Sequence, residues 1–108
     1  MNLPTEIFDD VIVVHTPEEL GSEQSDALAS CLAALERKRM VLDIDNTETI
    51  DSKGLSALLD VQEVLRGQDG DVKIAATNAN NRKIFEITRL DQQLEVFDSV
   101  IDAVKSFH

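Results

Sequence analysis

The sequence is poor in aromatic residues, with four phenylalanines and neither tryptophan nor tyrosine. Its core must therefore be built from leucine, isoleucine, valine and alanine. Hydrophobic residues make up 43% of the 108 residues, and this length fits one domain, so we expect a single domain over residues 1–108. No stretch approaches the ~18 consecutive apolar residues that a membrane-spanning helix needs.

Cysteine is nearly absent, because Cys31 is the only one. A single thiol excludes an internal disulfide and suits a reducing compartment. Cys31 shares a helical pattern with Leu28, Leu32 and Leu35, which favours a buried apolar role over that of a nucleophile. Since Met1-Asn2-Leu3-Pro4 lacks a basic segment followed by an apolar run, we expect no signal peptide and a cytoplasmic protein.

Basic residues are few as well: 10 lysines and arginines stand against 21 acidic residues, for a formal net charge of −11. Such a charge repels phosphate backbones and anionic lipid surfaces, which argues against nucleic-acid and membrane-surface binding. Two roles for the charge remain open. It could attract a basic partner surface, or it could simply keep the protein soluble, and we favour the second.

Strand and helix patterns alternate along the whole chain, in the order β-β-α-β-α-β-α-β-α. Alternation of this kind implies mostly parallel strand pairing through right-handed crossovers. The expected elements are two strands within Ile7–Val14 with a turn at Asp9-Asp10, a helix from about Ser22 to Arg39, a strand over Val41–Asn46, a helix over Leu55–Gly67, a strand over Val72–Ala76, a helix around Ile84–Thr88, a strand over Leu94–Phe97 and a helix around Val100–Phe107.

The clearest strands are apolar on one face and charged on the other. Leu42 and Ile44 share one face while Asp43 and Asp45 share the opposite one, and Lys73 opposes its neighbours in the same way. A sheet covered on both faces would read as continuous apolar runs. The sequence therefore predicts an α/β fold with a mixed, mostly parallel sheet of four to five strands, helices mainly on one face and the other face partly wet.

The most informative passage lies where a strand leads into the second long helix. One of Asp51 and Ser52 should be the helix N-cap, accepting a bond from a backbone N–H two or three residues on. Gly54 then falls in the first helical turn, where glycine costs about 1 kcal/mol relative to alanine. Its presence suggests that another backbone or a partner approaches closely there.

Ser52 also suits phosphorylation. A phosphate at a helix N-terminus meets free N–H groups and the positive end of the helix dipole, which stabilises it by about 0.3–1 kcal/mol. The fold should tolerate the modification, whereas the outer surface gains about −1.5 to −2 units of charge. A docking surface at this point could thus be switched without refolding.

The segment Asp51-Ser52-Lys53-Gly54-Leu55 resembles the D-S-x-G-L signature of STAS domains, the anti-sigma-factor antagonists. The resemblance extends over nearly the whole chain in element order, and Ile84–Leu90 resembles a recurring helix of the family. It implies the STAS fold and a non-enzymatic regulatory protein with no catalytic residues and no cofactor.

The resemblance also implies the partners. In the family, a GHKL-type serine kinase that is itself an anti-sigma factor phosphorylates the serine, a PP2C-type phosphatase removes the phosphate, and the unphosphorylated form binds the kinase. By position, Ser52 matches the phosphorylated serine and Asp51 the acid before it. The partner-binding residues that this implies are Glu19, Leu20, Gly21, Asp51, Ser52, Lys53 and Gly54.

The sequence departs from the family pattern at two places. Lys53 stands where the family usually has serine, threonine or alanine, and a cation there could pair with a phosphate or alter the choice of partner. The family often has G-E-L/I-D between its second strand and first helix, whereas this chain has Glu18-Glu19-Leu20-Gly21. The missing aspartate lies near the partner-binding edge in the family, so Gly21 bears on which kinase would bind.

Two other functions remain open. The chain could be a STAS subunit that is never phosphorylated, such as an accessory protein of a lipid transporter or a stressosome-like scaffold. It could also be a small enzyme or nucleotide-binding domain, since Asp43, Asp45, Glu48 and Asp51 cluster near a strand end where α/β proteins often bind ligands. We favour a solvated acidic edge there, and we expect no metal site because His15 and His108 are not spaced with Cys31 as ligands.

Overall fold

The computed structural model describes residues 3–107, so Met1, Asn2 and His108 lie outside the described residues. The elements follow the expected alternation, with two short strands and one 3₁₀ turn added. In chain order they are β1 (Thr5–Phe8), β2 (Val11–His15), β3 (Glu19–Leu20), α1 (Ser22–Ala34), β4 (Arg39–Asp43), β5 (Thr49–Ile50), α2 (Ser52–Arg66), β6 (Asp71–Ala75), α3 (Ala79–Ile87), a 3₁₀ turn (Leu90–Gln92), β7 (Val96–Phe97) and α4 (Val100–Lys105).

The main sheet has five strands in the order β1-β2-β4-β6-β7. β1 pairs antiparallel with β2, and the remaining neighbours pair in parallel. This is the mixed, mostly parallel sheet that the sequence predicts. Since consecutive parallel strands are also neighbours in space, the crossover helices between them can all lie on the same face.

The first face of the sheet carries the larger core. Ile12, Leu42 and Ile74 lie on this face, in three neighbouring strands, and are at most 4% exposed. Helices α1, α2 and α3 cover them with a mainly aliphatic layer, to which the one fully buried phenylalanine belongs. The helical residues are Leu28, Leu32, Leu55, Leu58, Val61, Leu65 and Phe85.

The second face is only partly covered. Val13 and Val41 pack beneath Ala103 of α4, whereas His15 and Asp43, further along the same strands, are only partly buried. Helices therefore lie mainly on one face, and the other face is partly polar, as the alternating strands predict.

A second, two-stranded parallel sheet pairs β3 with β5 and was not predicted. Each strand has only two residues, which is too short for a periodic signal. The strand predicted over Val41–Asn46 also ends earlier, at Asp43. There the Asp43 carboxylate accepts the Asp45 N–H at 3.1 Å and turns the chain. Cys31 is half-buried rather than buried.

Candidate functional site

Asp51, and not Ser52, is the N-cap of α2. Its backbone is extended, with φ −103° and ψ 179°, and its Oδ1 accepts the backbone N–H of Gly54 at 2.9 Å. Ser52 is consequently the first residue of the helix and is exposed. Because its hydroxyl is not the capping group, it can be modified without loss of the cap.

The Asp51 carboxylate also joins α2 to α1. Its second oxygen, Oδ2, accepts the backbone N–H of Ser22, the first residue of α1, at 3.1 Å. The hydrogen bond from Gly54 lowers the pKa of Asp51 despite some desolvation, and the Ser22 N–H and the Lys53 charge lower it further. A single ionised side chain therefore holds two helix N-termini side by side.

At Gly54 the first turn of α2 lies close to another part of the backbone, as a glycine at this position suggests. A Cβ atom there would lie 2.1 Å from the carbonyl oxygen of Leu20 and 2.8 Å from its carbonyl carbon. The same Leu20 oxygen accepts the Asp51 N–H at 3.1 Å. Only glycine lets the first turn of α2 lie this close to β3.

Gly21 has a similar role opposite Asp51. A Cβ atom at position 21 would lie 2.9 Å from Asp51 Oδ2, so a larger residue would compete with the carboxylate for space. An acidic residue there would also bring a second negative charge against Asp51. The aspartate of the family pattern would therefore interfere with the hydrogen bond between Asp51 and Ser22, whereas Gly21 leaves room for it.

The structure brings the predicted partner-binding residues into one place. Glu19, Leu20, Gly21 and Asp51 line one shallow cavity, and Ser52, Lys53 and Gly54 continue from Asp51 along α2. Their exposure differs, because Leu20 and Gly54 are buried whereas Glu19, Asp51, Ser52 and Lys53 are exposed. The two buried residues shape the site, and the four exposed ones form its outer surface.

The acidic residues near the end of β4 are used within the fold. Asp45 Oδ1 accepts the backbone N–H groups of Thr77 at 2.7 Å and Asn78 at 3.0 Å. Asp43 lies against His15 and Asp45.

Over the described stretch, 3–107, no three histidine, cysteine, aspartate or glutamate side chains are placed to hold a metal ion. Within the same residues, no helix has the length and apolar composition of a membrane span.

Sequence reasoning missed the contact of Asp51 with Ser22, which are far apart in the chain. A weak signal was present, because Gly21-Ser22 and Asp51-Ser52 both precede helical patterns. It also missed a histidine bridge, in which the two ring nitrogens of His15 lie 2.7 Å from Glu6 Oε1 and 2.8 Å from Asp43 Oδ2. These three residues come from three different strands, so only the register of the sheet reveals the bridge.

Solved structures of anti-sigma factor antagonists have the same fold. An anti-sigma factor antagonist from Mycobacterium paratuberculosis has a TM-score of 0.85 at 24% identity, with 97% of this chain and 92% of that one covered. The phosphorylated form of SpoIIAA from Bacillus has a TM-score of 0.70 at 13% identity, with coverage of 99% and 100%. A sulfate transporter family protein from Wolinella succinogenes has a TM-score of 0.79 at 18% identity, with coverage of 94% and 87%.

The sequence itself identifies the family. The family model described as the STAS domain matches residues 2–103, and the chain belongs to the STAS domain family. No curated protein is significantly similar to the chain in sequence.

Proposed function

We propose that the protein is a cytoplasmic partner-switching module, which binds a GHKL-type serine kinase/anti-sigma factor and is released by phosphorylation of Ser52. The proposal rests on the position of Ser52 in the structure. It is exposed at the first position of α2, directly beside a capping aspartate that leaves its hydroxyl out of the cap. The motif around it matches the family signature, and SpoIIAA is a structural relative whose phosphorylated form is known.

Phosphorylation would change charge rather than packing. The Ser52 Oγ–P bond forms as the bond from the γ-phosphorus to ADP breaks, and the hydroxyl proton passes to a base on the kinase. The new dianionic group lies at the positive end of α2 and next to the Lys53 ammonium in sequence, which favours it, and next to the Asp51 carboxylate, which opposes it. Buried Leu20 and Gly54 remain as they were, so the fold persists.

The surface exposed to the partner would be formed by Glu19, Asp51, Ser52 and Lys53. In the unphosphorylated state the kinase can pack against it, whereas a phosphate would add bulk and a charge that is costly to desolvate. A PP2C-type phosphatase would restore the first state. This role needs no catalytic residue of the chain itself.

The proposal is tested by incubating the full chain with ATP and each GHKL-type kinase of the source genome, and reading intact mass. We expect one kinase to add one phosphate, and Ser52→Ala to abolish the gain. Ser56→Ala is the control, because Ser56 is an exposed serine one turn further along the same helix. A phosphate that persists in Ser52→Ala, or no gain with any kinase, would refute it.

One observation favours a second function. The same fold occurs in a sulfate transporter family protein, so the chain could serve as an accessory or scaffold subunit that is never phosphorylated. The mass experiment distinguishes the two functions. Stable assembly with a partner, together with no phosphate gain with any kinase, would support this alternative.

A further inference from the structure

The surface between α1 and α2 contains two adjoining cavities. One, of about 370 Å³, is lined by Ser25, Asp26, Lys53 and Ala57 among others. The other, of about 80 Å³, lies further along the helices. Ala29 and Asp60 line both, so the cavities form a continuous groove, here called the α1–α2 groove. It begins at Lys53, the neighbour of the proposed phosphorylation site.

The floor of the α1–α2 groove is made of small residues, and its far end is apolar. Ala29, Ala33 and Ala57 leave room for the backbone of another element to come close. At the far end lies Val64 of α2, an apolar side chain that is 54% exposed. Part of the aliphatic surface of the groove is therefore not covered by any other element of the fold.

Two carboxylates border the groove from opposite sides. Asp26 belongs to α1 and Asp60 to α2, and both are exposed. Within residues 3–107 neither of them forms an ion pair. An occupant with a positive charge at the middle of the groove would pair with both, in keeping with the net charge of −11.

We infer that the α1–α2 groove binds an amphipathic helix of the partner protein. The helix would place small and aliphatic residues against Ala29, Ala33 and Val64, and a lysine or arginine between Asp26 and Asp60. A helix fits better than a strand, because the walls are helices whose backbone groups are already bonded and cannot extend a sheet. The inference rests on the proposed function, in which the same partner covers Ser52.

The test measures binding of the unphosphorylated full chain to the GHKL-type kinase that modifies Ser52, by biolayer interferometry. We expect Val64→Glu and Asp60→Lys each to weaken binding at least 10-fold. Val64→Glu would bury a charge at the apolar end of the groove, and Asp60→Lys would repel the lysine or arginine of the bound helix. Ile87→Glu is the matched control, since Ile87 is 73% exposed on α3 and does not line the groove. It should change affinity less than 2-fold.

The possible results separate this inference from the proposed function. If Val64→Glu and Asp60→Lys both bind with wild-type affinity and the kinase still phosphorylates Ser52 in them, the inference that the groove binds a helix is overturned. The phosphorylation proposal is then unaffected. A loss as large in Ile87→Glu would also overturn it. If no kinase binds or modifies the chain, both proposals fail. Both altered positions are solvent-exposed on α2, and circular dichroism verifies that the variants fold.

Discussion

Asp51 and Gly54 determine how the two long helices start. Asp51 supplies an acceptor to each helix N-terminus, and Gly54 lets α2 lie against the Leu20 carbonyl. Neither residue is the proposed phosphorylation site, yet together they determine where Ser52 is exposed. A change at Gly54 should therefore disturb the site through backbone packing and not through chemistry.

Gly54→Ala should destabilise the protein by about 1–3 kcal/mol, because the new methyl group would overlap a backbone oxygen that cannot move freely. Gly67→Ala is the control. A Cβ atom at Gly67 would have its nearest contact at 3.4 Å and the residue has helical φ −65° and ψ −14°, so alanine should be neutral or slightly stabilising there. Urea unfolding measures both, and equal stability of the two variants would contradict this account.

At the residue scale, the sequence predicted part of the site. Its apolar pattern placed the start of a helix at Asp51-Ser52, and the glycine in the first turn indicated a close approach. It left open which of the two residues caps the helix. It could not show that Leu20 is the backbone approached, since that depends on the pairing of two-residue strands distant in sequence.

Three strands of the sheet are linked by the histidine bridge at the end of β2. His15 contacts Glu6 of β1 and Asp43 of β4, and it can donate to both carboxylates only as the imidazolium. Partial burial lowers the pKa of His15, but the hydrogen bonds to Glu6 and Asp43 and the charges of both carboxylates together outweigh it and raise the pKa above 6.5. The bridge therefore depends on protonation.

Because the pKa of His15 is raised on folding, its contribution to stability is fully present below pH 6.5 and is lost as pH rises through the folded-state pKa. The free energy of unfolding of the wild type should fall over that interval. The difference between wild type and His15→Gln should shrink correspondingly. Urea unfolding at a series of pH values measures this, and a difference that stays constant with pH would refute the bridge.

At the element scale, the longer strands and helices were predictable because each carries a clear apolar period. The pair β3–β5 was not, since two residues show no period and only the folded chain brings them together. The observed strand ends also differ from the predicted ones. β4 ends at Asp43 because of a side-chain hydrogen bond and not because the apolar pattern ends there.

The molecule as a whole combines a nearly aliphatic core with an acidic surface. The order of elements sufficed to predict mostly parallel strand pairing, and the alternation of apolar and charged residues in the strands predicted that helices cover mainly one face. Lys73 shows where such prediction ends. The alternation placed it on the wetter face, yet it is 8% exposed, with Nζ 4.5 Å from the centre of the Phe107 ring and 3.3 Å from the Ser106 carbonyl oxygen. Its burial depends on where the C-terminal residues pack.

The separation of surface from core is also the basis of the proposed switch. The core side chains lie between the sheet and the helices, whereas Ser52 is exposed at the first position of α2. Modifying the hydroxyl should therefore leave secondary structure and thermal stability nearly unchanged, while a partner that covers this surface should be repelled.

The most direct test compares the dissociation constants of the unmodified and the Ser52-phosphorylated chain for the proposed GHKL-type kinase, with circular dichroism recorded on both. We predict superimposable spectra and an affinity reduced more than 100-fold, which corresponds to a loss of about 3 kcal/mol. Equal affinities of the two forms, or a phosphorylated chain that is unfolded, would contradict the account.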